Sequence, residues 1–261
     1  MFLIHNRIFI LSVLLTFCNQ QFVNTQNIEP FKSEIDTNLN SKKPTQIDKN
    51  FVLGKFNYEK NELFVLVEAQ HSSKTTYLNK DVYNAFKRMF DEAKNDNIEL
   101  KIISGTRNFI EQKIIWERKW NKYKYLQPED RAKKILEYSS MPSTSRHHWG
   151  TDIDLNSLRN SYFDKGQGFK VYEWLTKNAN KFGFFQVYTS KETGRTGYNL
   201  EKWHWSYVPL AANYLNFYNC NIFDKDLTGF KGCELAEKLD IISNYVNGIP
   251  EQLIIIMPIN P

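Results

Sequence analysis

The stretch SRHHWGTDID, residues 145–154, places two adjacent histidines, a glycine and two aspartates within ten positions. Imidazole nitrogens and carboxylate oxygens are common protein ligands of zinc, and a catalytic zinc site takes three protein ligands and leaves a position for water. The stretch therefore predicts part of a metal site, to be weighed against the commoner structural or surface use of scattered His and Asp residues.

The directions of the side chains decide which of them can share a metal. If residues 151–155 form a strand, Asp152 and Asp154 lie on one face and the apolar residues between them on the other. His147 lies seven positions before Asp154, and an odd separation would place the two on opposite faces of one straight strand. We therefore expect the chain to turn at Gly150, because glycine permits such a turn.

A second segment, EKWHWSYV (residues 201–208), supplies the best candidate for a third ligand. In a strand, its aromatic residues would alternate onto one face and His204 onto the other. Glu201 precedes His204 by three residues, so a turn could bring its carboxylate beside a water on the same metal. The remaining histidines fit less well, since His5 falls in an apolar leader and His71 in a polar segment.

Three ordered motifs resemble those of the VanY-type D-alanyl-D-alanine carboxypeptidases, zinc peptidases that cut peptidoglycan stem peptides and share a fold with hedgehog signalling domains. The family patterns are S-G-x-R with a following Gln, S-x-H-x-x-G-x-x-x-D, and E-x-W-H. They are met by Ser104, Gly105, Arg107 and Gln112, by Ser145, His147, Gly150 and Asp154, and by Glu201, Trp203 and His204. The resemblance covers roughly residues 50 to 210 and leaves about the last fifty unexplained.

The resemblance implies zinc held by His147, Asp154 and His204, with Glu201 as general base and then general acid. Zinc supplies Lewis acidity, which can lower the pKa of bound water from about 15.7 to about 7. Arg107 would either neutralise the oxyanion or orient the substrate. The implied reaction is hydrolysis of the terminal D-amino-acid peptide bond of D-Ala-D-Ala-type peptidoglycan stem peptides.

Further positions in these motifs are predicted to contact substrate. Gln112 and Ser145 are candidates, although each could instead only shape the local structure. Asp152 stands where the family often has a small apolar residue, so it is assigned to substrate, with support of the metal site or a solvated strand position as the alternatives. His148 is expected to be a hydrogen-bonded structural residue, and Trp203 to pack in the core.

Hydrophobic periodicity predicts the elements that must position these residues. Helices are expected over residues 79–95, 106–120, 128–140, 168–183, 210–218 and 233–246. Strands are expected at 98–105, 151–155, 184–188 and 203–208, with a hairpin between the last two. The predicted fold class is α+β, a small antiparallel sheet flanked by helices, and the resemblance adds the hedgehog or D-Ala-D-Ala peptidase type.

Residues 1–18 have the layout of an export signal, with Arg7 before an apolar run from Ile8 to Phe17. A membrane span needs roughly 20 apolar residues, which is more than this run provides. Cys18 resembles a lipoprotein attachment site, but Phe17 stands where a small residue is usual, so lipidation and ordinary cleavage compete. We expect an exported protein of the periplasm or cell envelope, with membrane attachment if Cys18 is lipidated.

The rest of the chain is predicted to contain a flexible tether over 19–50, a catalytic domain over 51–218 and a C-terminal extension over 219–261. Cys220 and Cys233 form an even pair in an oxidising compartment, so either a disulfide or two buried thiols is expected. The net charge is +5, and the basic residues are interspersed with acidic ones, which argues against nucleic-acid binding.

Two classes of function remain open. One is the zinc D,D-carboxypeptidase, although the loops that set the scissile bond could equally give an L,D-carboxypeptidase, a dipeptidase or an endopeptidase. Residues 70–80 are a candidate substrate-facing loop. The other is a non-catalytic module in which zinc stabilises a fold that binds cell wall or a protein. Glu201 and Arg107 argue against that module, because a structural zinc site closes its fourth position and needs neither.

Overall fold

A four-stranded sheet carries the predicted site in the computed structural model, which describes residues 47–255. Its strand order is β3-β4-β6-β5, and a separate sheet pairs β1 with β2. All of these pairs are antiparallel, which confirms the predicted α+β class. The strands are β1 (Phe64–Leu66), β2 (Tyr77–Asn79), β3 (Ile102–Ser104), β4 (Asp152–Leu155), β5 (Phe184–Gln186) and β6 (His204–Tyr207).

Helices surround the sheets, and five of them confirm predicted helical stretches: α2, α3, α4, α5 and α6. Among the described residues, no helix has the length and apolar character that crossing a membrane requires. The α-helices are α1 (Lys49–Val52), α2 (Lys80–Asn95), α3 (Phe109–Lys122), α4 (Pro128–Leu136), α5 (Gly166–Asn178), α6 (Val208–Asn221) and α7 (Glu251–Ile255).

The predicted helix over residues 233–246 is wrong. That stretch contains a 3-10 turn at Cys233–Leu235 and a π-helical turn at Ile242–Val246. Asp240 has a φ angle of 49°, a left-handed value that a continuous α-helix does not contain. Apolar residues at helical spacing are present, but the turn at Asp240 divides them into short pieces.

Two apolar clusters hold the elements together. One packs α2 and α5 against the sheet and includes Phe86, Leu175, Ile153 and Leu155, all completely buried. The inward direction of Ile153 and Leu155 is the one that period-two alternation predicts for β4. The second cluster joins α1, α3, α4 and α6 around Trp116 and also holds the chain beyond α6.

The chain beyond residue 218 is packed onto the same apolar cluster as α3 and α6. Ile222, Leu227, Ile241 and Val246 are almost completely buried there. The predicted boundary at residue 218 therefore falls inside α6, and at the other end α1 begins at residue 49, within the predicted tether. Both Cys220 and Cys233 are free thiols, Cys220 exposed and Cys233 half-buried, so the structure has neither the disulfide nor the pair of buried thiols that the sequence left open. The predicted export signal and Cys18 lie outside the described residues.

Candidate metal centre and active site

Gly150 provides the turn that brings His147 toward β4. A 3-10 helix, Arg146–Trp149, ends at Gly150, whose φ angle is +70°. A Cβ atom at this position would lie 2.4 Å from a ring carbon of Phe64, so both the backbone angle and the available space require glycine. As the spacing predicts, the turn directs the His147 ring to Asp154, with Nε2 of His147 3.4 Å from Oδ1 of the aspartate.

The pairing of β4 with β6 brings the third residue of the site into place. Asp154 lies directly opposite His204 in this antiparallel pair, and Nδ1 of His204 is 3.1 Å from Oδ1 of Asp154. One potential ligand atom from each of His147, Asp154 and His204 lies within 4.8 Å of the others, and all three residues are buried. The structure therefore brings the three predicted ligands together.

The hydrogen bonds behind these residues fit a zinc site. Nδ1 of His147 lies 2.8 Å from the Gly105 carbonyl, and Nε2 of His204 lies 2.9 Å from Oδ1 of Asp152. When each of these nitrogens donates its proton outward, the other ring nitrogen is available to a metal. Tetrahedral zinc ligands with bonds of about 2.0–2.1 Å lie roughly 3.3 Å apart. The distances from Asp154 Oδ1 to the two histidine nitrogens, 3.4 and 3.1 Å, are close to that value.

Burial and neighbouring charges shift the pKa values of these three residues in different directions. Burial, together with the Arg107 charge, lowers the pKa of His147 and keeps the ring neutral. Burial also opposes charge on His204, but its hydrogen bonds to Asp152 and Asp154 outweigh burial and raise its pKa to about 9. Asp154 is buried too, yet the two histidines hold its pKa well below the ordinary range. Metal binding at this site therefore requires His204 to release a proton.

Glu201 lies beside the metal-binding residues. The His204 backbone N–H donates to the Glu201 carbonyl at 3.3 Å, and this turn places Oε2 of Glu201 3.7 Å from Nδ1 of His204. Burial, reinforced by the nearby charge of Asp154, raises the pKa of Glu201 to about 8. A carboxyl group with a pKa near neutrality can both take up and release a proton at physiological pH, which suits a general acid–base.

Arg107 is held where β3 leads into α3. Its backbone N–H donates to the His147 carbonyl at 3.2 Å, and its guanidinium Nη1 donates to Oγ of Ser104 at 3.3 Å. Asn108 caps α3 and forms a reciprocal capping box with Glu111, which fixes the start of the helix. The Arg107 side chain lines the same pocket as the three potential ligands.

The pocket above these residues has a volume of about 550 Å³. Gln112 is buried in its wall, where Nε2 donates to the Ser140 carbonyl at 2.8 Å and Oε1 accepts no hydrogen bond from the described residues. That oxygen is a buried acceptor without a donor among these residues. Besides the residues already named, the wall includes Ile115, Lys119, Tyr138, Tyr188, Tyr198 and Trp203.

Asp152 does not line the pocket, which corrects its assignment as a substrate-binding residue. It is completely buried and lies opposite Ser206 in the β4–β6 pair. Oδ1 accepts from Arg146 at 3.1 Å as well as facing His204, and Oδ2 accepts from the hydroxyls of Thr151 and Ser206 at 2.6 and 3.1 Å. All of its acceptor capacity is therefore used within the protein, and its contact with Nε2 places it behind His204.

Three other predicted features have different outcomes. Ser145 is buried and is not part of the pocket wall, so the structure does not bring it together with the other residues predicted to bind substrate. His148 has the structural role expected: Nδ1 lies 2.6 Å from the Arg107 carbonyl, Nε2 accepts from Ser143, and burial lowers its pKa to about 3. Residues 70–80 do not line the pocket, because His71 turns inward onto Tyr83 and residues 77–79 form β2.

Several pocket residues were missed from the sequence. The ring centroid of Tyr188 lies 4.5 Å from that of His204, and the ring centroid of Tyr198 lies 4.8 Å from that of Tyr188. Nothing in the sequence marked these tyrosines, because their segment reads as an ordinary strand and hairpin. A signal did exist for Lys119, which follows Gln112 by seven positions and therefore lies on the same helical face of α3.

Residues 75–210 match the VanY family model, described as D-alanyl-D-alanine carboxypeptidase. The chain belongs to the VanY family. This match confirms the resemblance inferred from the three motifs and contains every residue of the metal site. It begins just before β2 and ends in the first turn of α6, so the packed segment beyond α6 lies outside it.

Relatives support the same family. The chain is 33% identical over 189 residues to YodJ of Bacillus subtilis, whose name assigns it provisionally to the carboxypeptidases; the match covers 70% of this chain and 64% of the relative. It is 32% identical over 127 residues to a D-alanyl-D-alanine carboxypeptidase of Enterococcus faecalis, covering 48% of this chain and 46% of the relative. The chain thus spans less than two thirds of either curated relative.

A solved structure of VanYB in complex with D-alanine-D-alanine is also similar. It shares 25% sequence identity with this chain, with a TM-score of 0.48, over 62% of this chain and 86% of that one.

Proposed function

We propose that this chain is a zinc carboxypeptidase that removes the terminal D-amino acid from peptidoglycan stem peptides ending in D-Ala-D-Ala. The observation that carries the proposal is the convergence of His147, Asp154 and His204 in one pocket with Glu201 beside them. Membership of the VanY family supports the reaction, and the name of the Enterococcus faecalis relative supports the D-Ala-D-Ala specificity.

His147, Asp154 and His204 would hold the zinc ion. Bound there, zinc supplies Lewis acidity, which lowers the pKa of water to about 7 and polarises a carbonyl group. Glu201 accepts the proton of the attacking water on its carboxylate and then delivers it to the nitrogen of the departing D-amino acid. General acid–base catalysis of this kind contributes on the order of 10²–10⁴ in rate.

Arg107 and Gln112 would hold the substrate across the metal-binding residues. Arg107 supplies a fixed positive charge for the negative oxygen that develops on the scissile carbonyl, or for the terminal carboxylate of the peptide. Gln112 offers its free Oε1 to a peptide N–H, and its bond to the Ser140 carbonyl fixes the amide orientation. These contacts would align the scissile bond with Glu201 before any chemistry occurs.

The non-catalytic alternative requires a closed zinc site. In this chain, the three potential ligands form part of the wall of an open pocket, together with the buried acid Glu201 and the cation Arg107. A purely structural zinc site does not need a buried carboxyl group whose pKa is raised to about 8. Burying such a group lowers the stability of the fold, and a role in catalysis would explain its presence. The geometry therefore favours catalysis over binding alone.

The test is incubation of the zinc-loaded chain with a stem pentapeptide ending in D-Ala-D-Ala, followed by mass analysis of the products. The matched control is the same peptide with L-Ala at the last position. We expect loss of a single D-Ala from the first peptide, loss of activity with a chelator and its return with zinc. An unchanged first peptide at full zinc occupancy would contradict the proposal.

We also propose that the protein acts outside the cytoplasm, in the periplasm or cell envelope. The sequence basis is Arg7 followed by the apolar run to Phe17, and Cys18 is a candidate for lipid attachment. Cell fractionation, with mass analysis of the N-terminal peptide of the wild type and of a Cys18→Ala variant, tests both statements. A cytoplasmic full-length chain would refute export, and an unmodified Cys18 would refute lipid attachment.

A further inference from the structure

The pocket wall is strongly basic beyond what the metal site explains. Four cationic side chains line it, and the acids of the wall are Asp154, a predicted metal ligand, and Glu201, the predicted acid–base. The cations are Arg107, Arg118, Lys119 and Arg159. A D-Ala terminus brings one carboxylate to the pocket, and Arg107 is tied to the metal-binding residues that such a terminus must reach, because its backbone N–H donates to the His147 carbonyl at 3.2 Å. Three cations are then left over.

Within residues 47–255, none of these three cations has an ion-pair partner. Other basic residues of the same region do, such as Lys133 with Glu129 at 2.7 Å and Lys202 with Asp164 at 2.7 Å. Unpaired exposed lysines and arginines are ordinary on a solvated surface, so pairing alone decides nothing. What distinguishes Arg118, Lys119 and Arg159 is that they share one concave wall and that Lys119 is partly withdrawn from water.

Lys119 is held in place without a counter-charge. Its ammonium donates to Oγ of Ser139 at 2.5 Å, and no acidic side chain of the described structure lies within ion-pair distance. Burial lowers its pKa, and the neighbouring charges of Arg107 and Arg118 lower it further, although Glu201 opposes the shift. A half-buried cation among other cations is costly, and an incoming anion would relieve that cost.

The position of Arg118 along α3 separates it from the catalytic centre. The helix begins beside Arg107 and rises about 14 Å from Phe109 to Arg118, at roughly 1.5 Å per residue. An extended peptide covers at most about 3.3–3.6 Å per residue. A terminal carboxylate held near Arg107 would therefore not reach Arg118. After allowance for the length of an arginine side chain, Arg118 would face a substrate group about two to four residues upstream.

Arg159 approaches the pocket from a different element. It follows β4, the strand that carries Asp154, whereas Arg118 and Lys119 belong to α3. The two arginines are exposed, and Leu158 beside Arg159 is 52% exposed and also lines the pocket. Cations from two separate elements thus line a single cavity, and a peptide crossing it would meet basic side chains from both.

We propose that Arg118, Lys119 and Arg159 form an acidic-residue subsite, which selects peptides that carry a free carboxylate about two to four residues upstream of the scissile bond, in addition to the terminal carboxylate. The inference rests on the proposed carboxypeptidase function, since it names the substrate class of that same pocket. Peptides whose upstream carboxylate is amidated would be poorer substrates than their free-acid forms.

The test uses two peptides that end in D-Ala-D-Ala and differ only in an upstream Glu or Gln. For the wild type, we expect kcat/KM to be about 10-fold higher with the Glu peptide. This corresponds to about 1.4 kcal/mol in total, shared among two or three partly exposed ion pairs. In the R118Q/R159Q double variant, the preference should fall to about 2-fold or less. Raising the salt concentration should weaken the wild-type preference.

The matched control is R88Q, which removes an exposed arginine from α2, outside the pocket wall, and should keep the full preference. Equal kcat/KM for the two peptides with the wild type, or a preference that survives R118Q/R159Q, would overturn the subsite.

Binding separates this inference from the proposed function. Calorimetry with the E201Q variant compares the affinities of the same two peptides without turnover. If neither peptide is cut by the wild type, the carboxypeptidase proposal fails on its own. The subsite is then judged by binding: tighter binding of the Glu peptide supports it, and equal or absent binding of both refutes it.

Discussion

Oδ1 of Asp152 lies 2.9 Å from Nε2 of His204, and the opposite ring nitrogen, Nδ1, lies 3.1 Å from Asp154. The register of β4 and β6 fixes this arrangement, because Asp152 faces Ser206 and Asp154 faces His204 across the pair. Burial opposes ionisation of Asp152, but the charge of Arg146 and the bond to His204 hold its pKa well below the ordinary range. The aspartate therefore remains charged and orients the imidazole toward the metal position.

The Asp152→Asn variant should bind zinc about 10- to 100-fold more weakly than the wild type, which is the usual effect of removing a carboxylate behind a histidine ligand. An amide keeps the shape but loses the charge that favours the correct ring orientation. A competition titration against a chromophoric chelator measures the affinity. Ser206→Ala, which removes only a hydroxyl from the same network, is the control and should weaken zinc binding less. Unchanged affinity in Asp152→Asn would refute the supporting role.

The Glu201→Gln variant should keep its zinc and lose a factor of about 10²–10⁴ in kcat, because the amide cannot transfer the proton. Metal analysis of the purified protein and the rate of D-Ala release are the two measurements. Glu192→Gln, an exposed change in the hairpin between β5 and β6, serves as the control and should have wild-type kcat. Normal turnover by Glu201→Gln would exclude this residue as the base.

Zinc affinity should rise with pH up to about pH 9. In the metal-free protein, hydrogen bonds to two aspartates outweigh burial and raise the pKa of His204 to about 9, above roughly 6.5 for an unfolded histidine. The charged ring thus stabilises the metal-free fold fully below about pH 6.5, and this contribution is lost as the pH rises through 9. Because zinc must displace the proton, we expect about a tenfold gain in affinity per pH unit between these limits.

This titration is best measured in the Glu201→Gln variant, where the second group that titrates near neutrality is absent. Calorimetry in buffers of different ionisation enthalpy counts the protons released, and about one is expected at pH 7.5. A zinc affinity that does not change between pH 7 and 9 would show that His204 is already neutral in the metal-free protein.

The sequence predicts the features that local interactions fix. It does not predict the features that depend on contacts between distant segments. Period-two alternation within β4 and β6 places Asp154 and His204 on usable faces, and the glycine requirement at Gly150 is local. The burial of Asp152 depends on Arg146 and on a register with Ser206, which lies in a strand some fifty residues away. No local pattern carries that information, so the local pattern wrongly predicts that its carboxylate contacts substrate.

The C-terminal segment, the chain beyond α6, is a second feature that the local pattern does not predict. Its apolar spacing predicts a helix over residues 233–246, but the left-handed backbone at Asp240 interrupts it. What fixes the segment is contact with the hairpin after β5: the Thr196 hydroxyl donates to the Asn244 carbonyl at 3.0 Å, and Tyr245 packs 5.1 Å from Tyr198. These contacts link distant parts of the chain, and spacing within one segment does not reveal them.

Arg195 provides the strongest of these links and yields a further prediction. Its buried guanidinium donates to four backbone carbonyls at 2.6–2.9 Å, three within the hairpin and one at Gly248 of the C-terminal segment. Arg195→Met would leave these carbonyls without their donor. Each carbonyl that water does not reach would then lower the free energy of unfolding by about 1 kcal/mol or more. We expect the free energy of unfolding to fall by about 2–4 kcal/mol.

The same variant should also weaken substrate binding, because Tyr198, whose carbonyl Arg195 holds, forms part of the pocket wall. The expected result is a raised KM with a smaller change in kcat, measured well below the melting temperature, since Glu201 and the three metal-binding residues keep their own contacts. Arg88→Met, an exposed change on α2, is the control for loss of charge. Wild-type stability and KM in Arg195→Met would mean that the C-terminal segment does not brace the pocket through this residue.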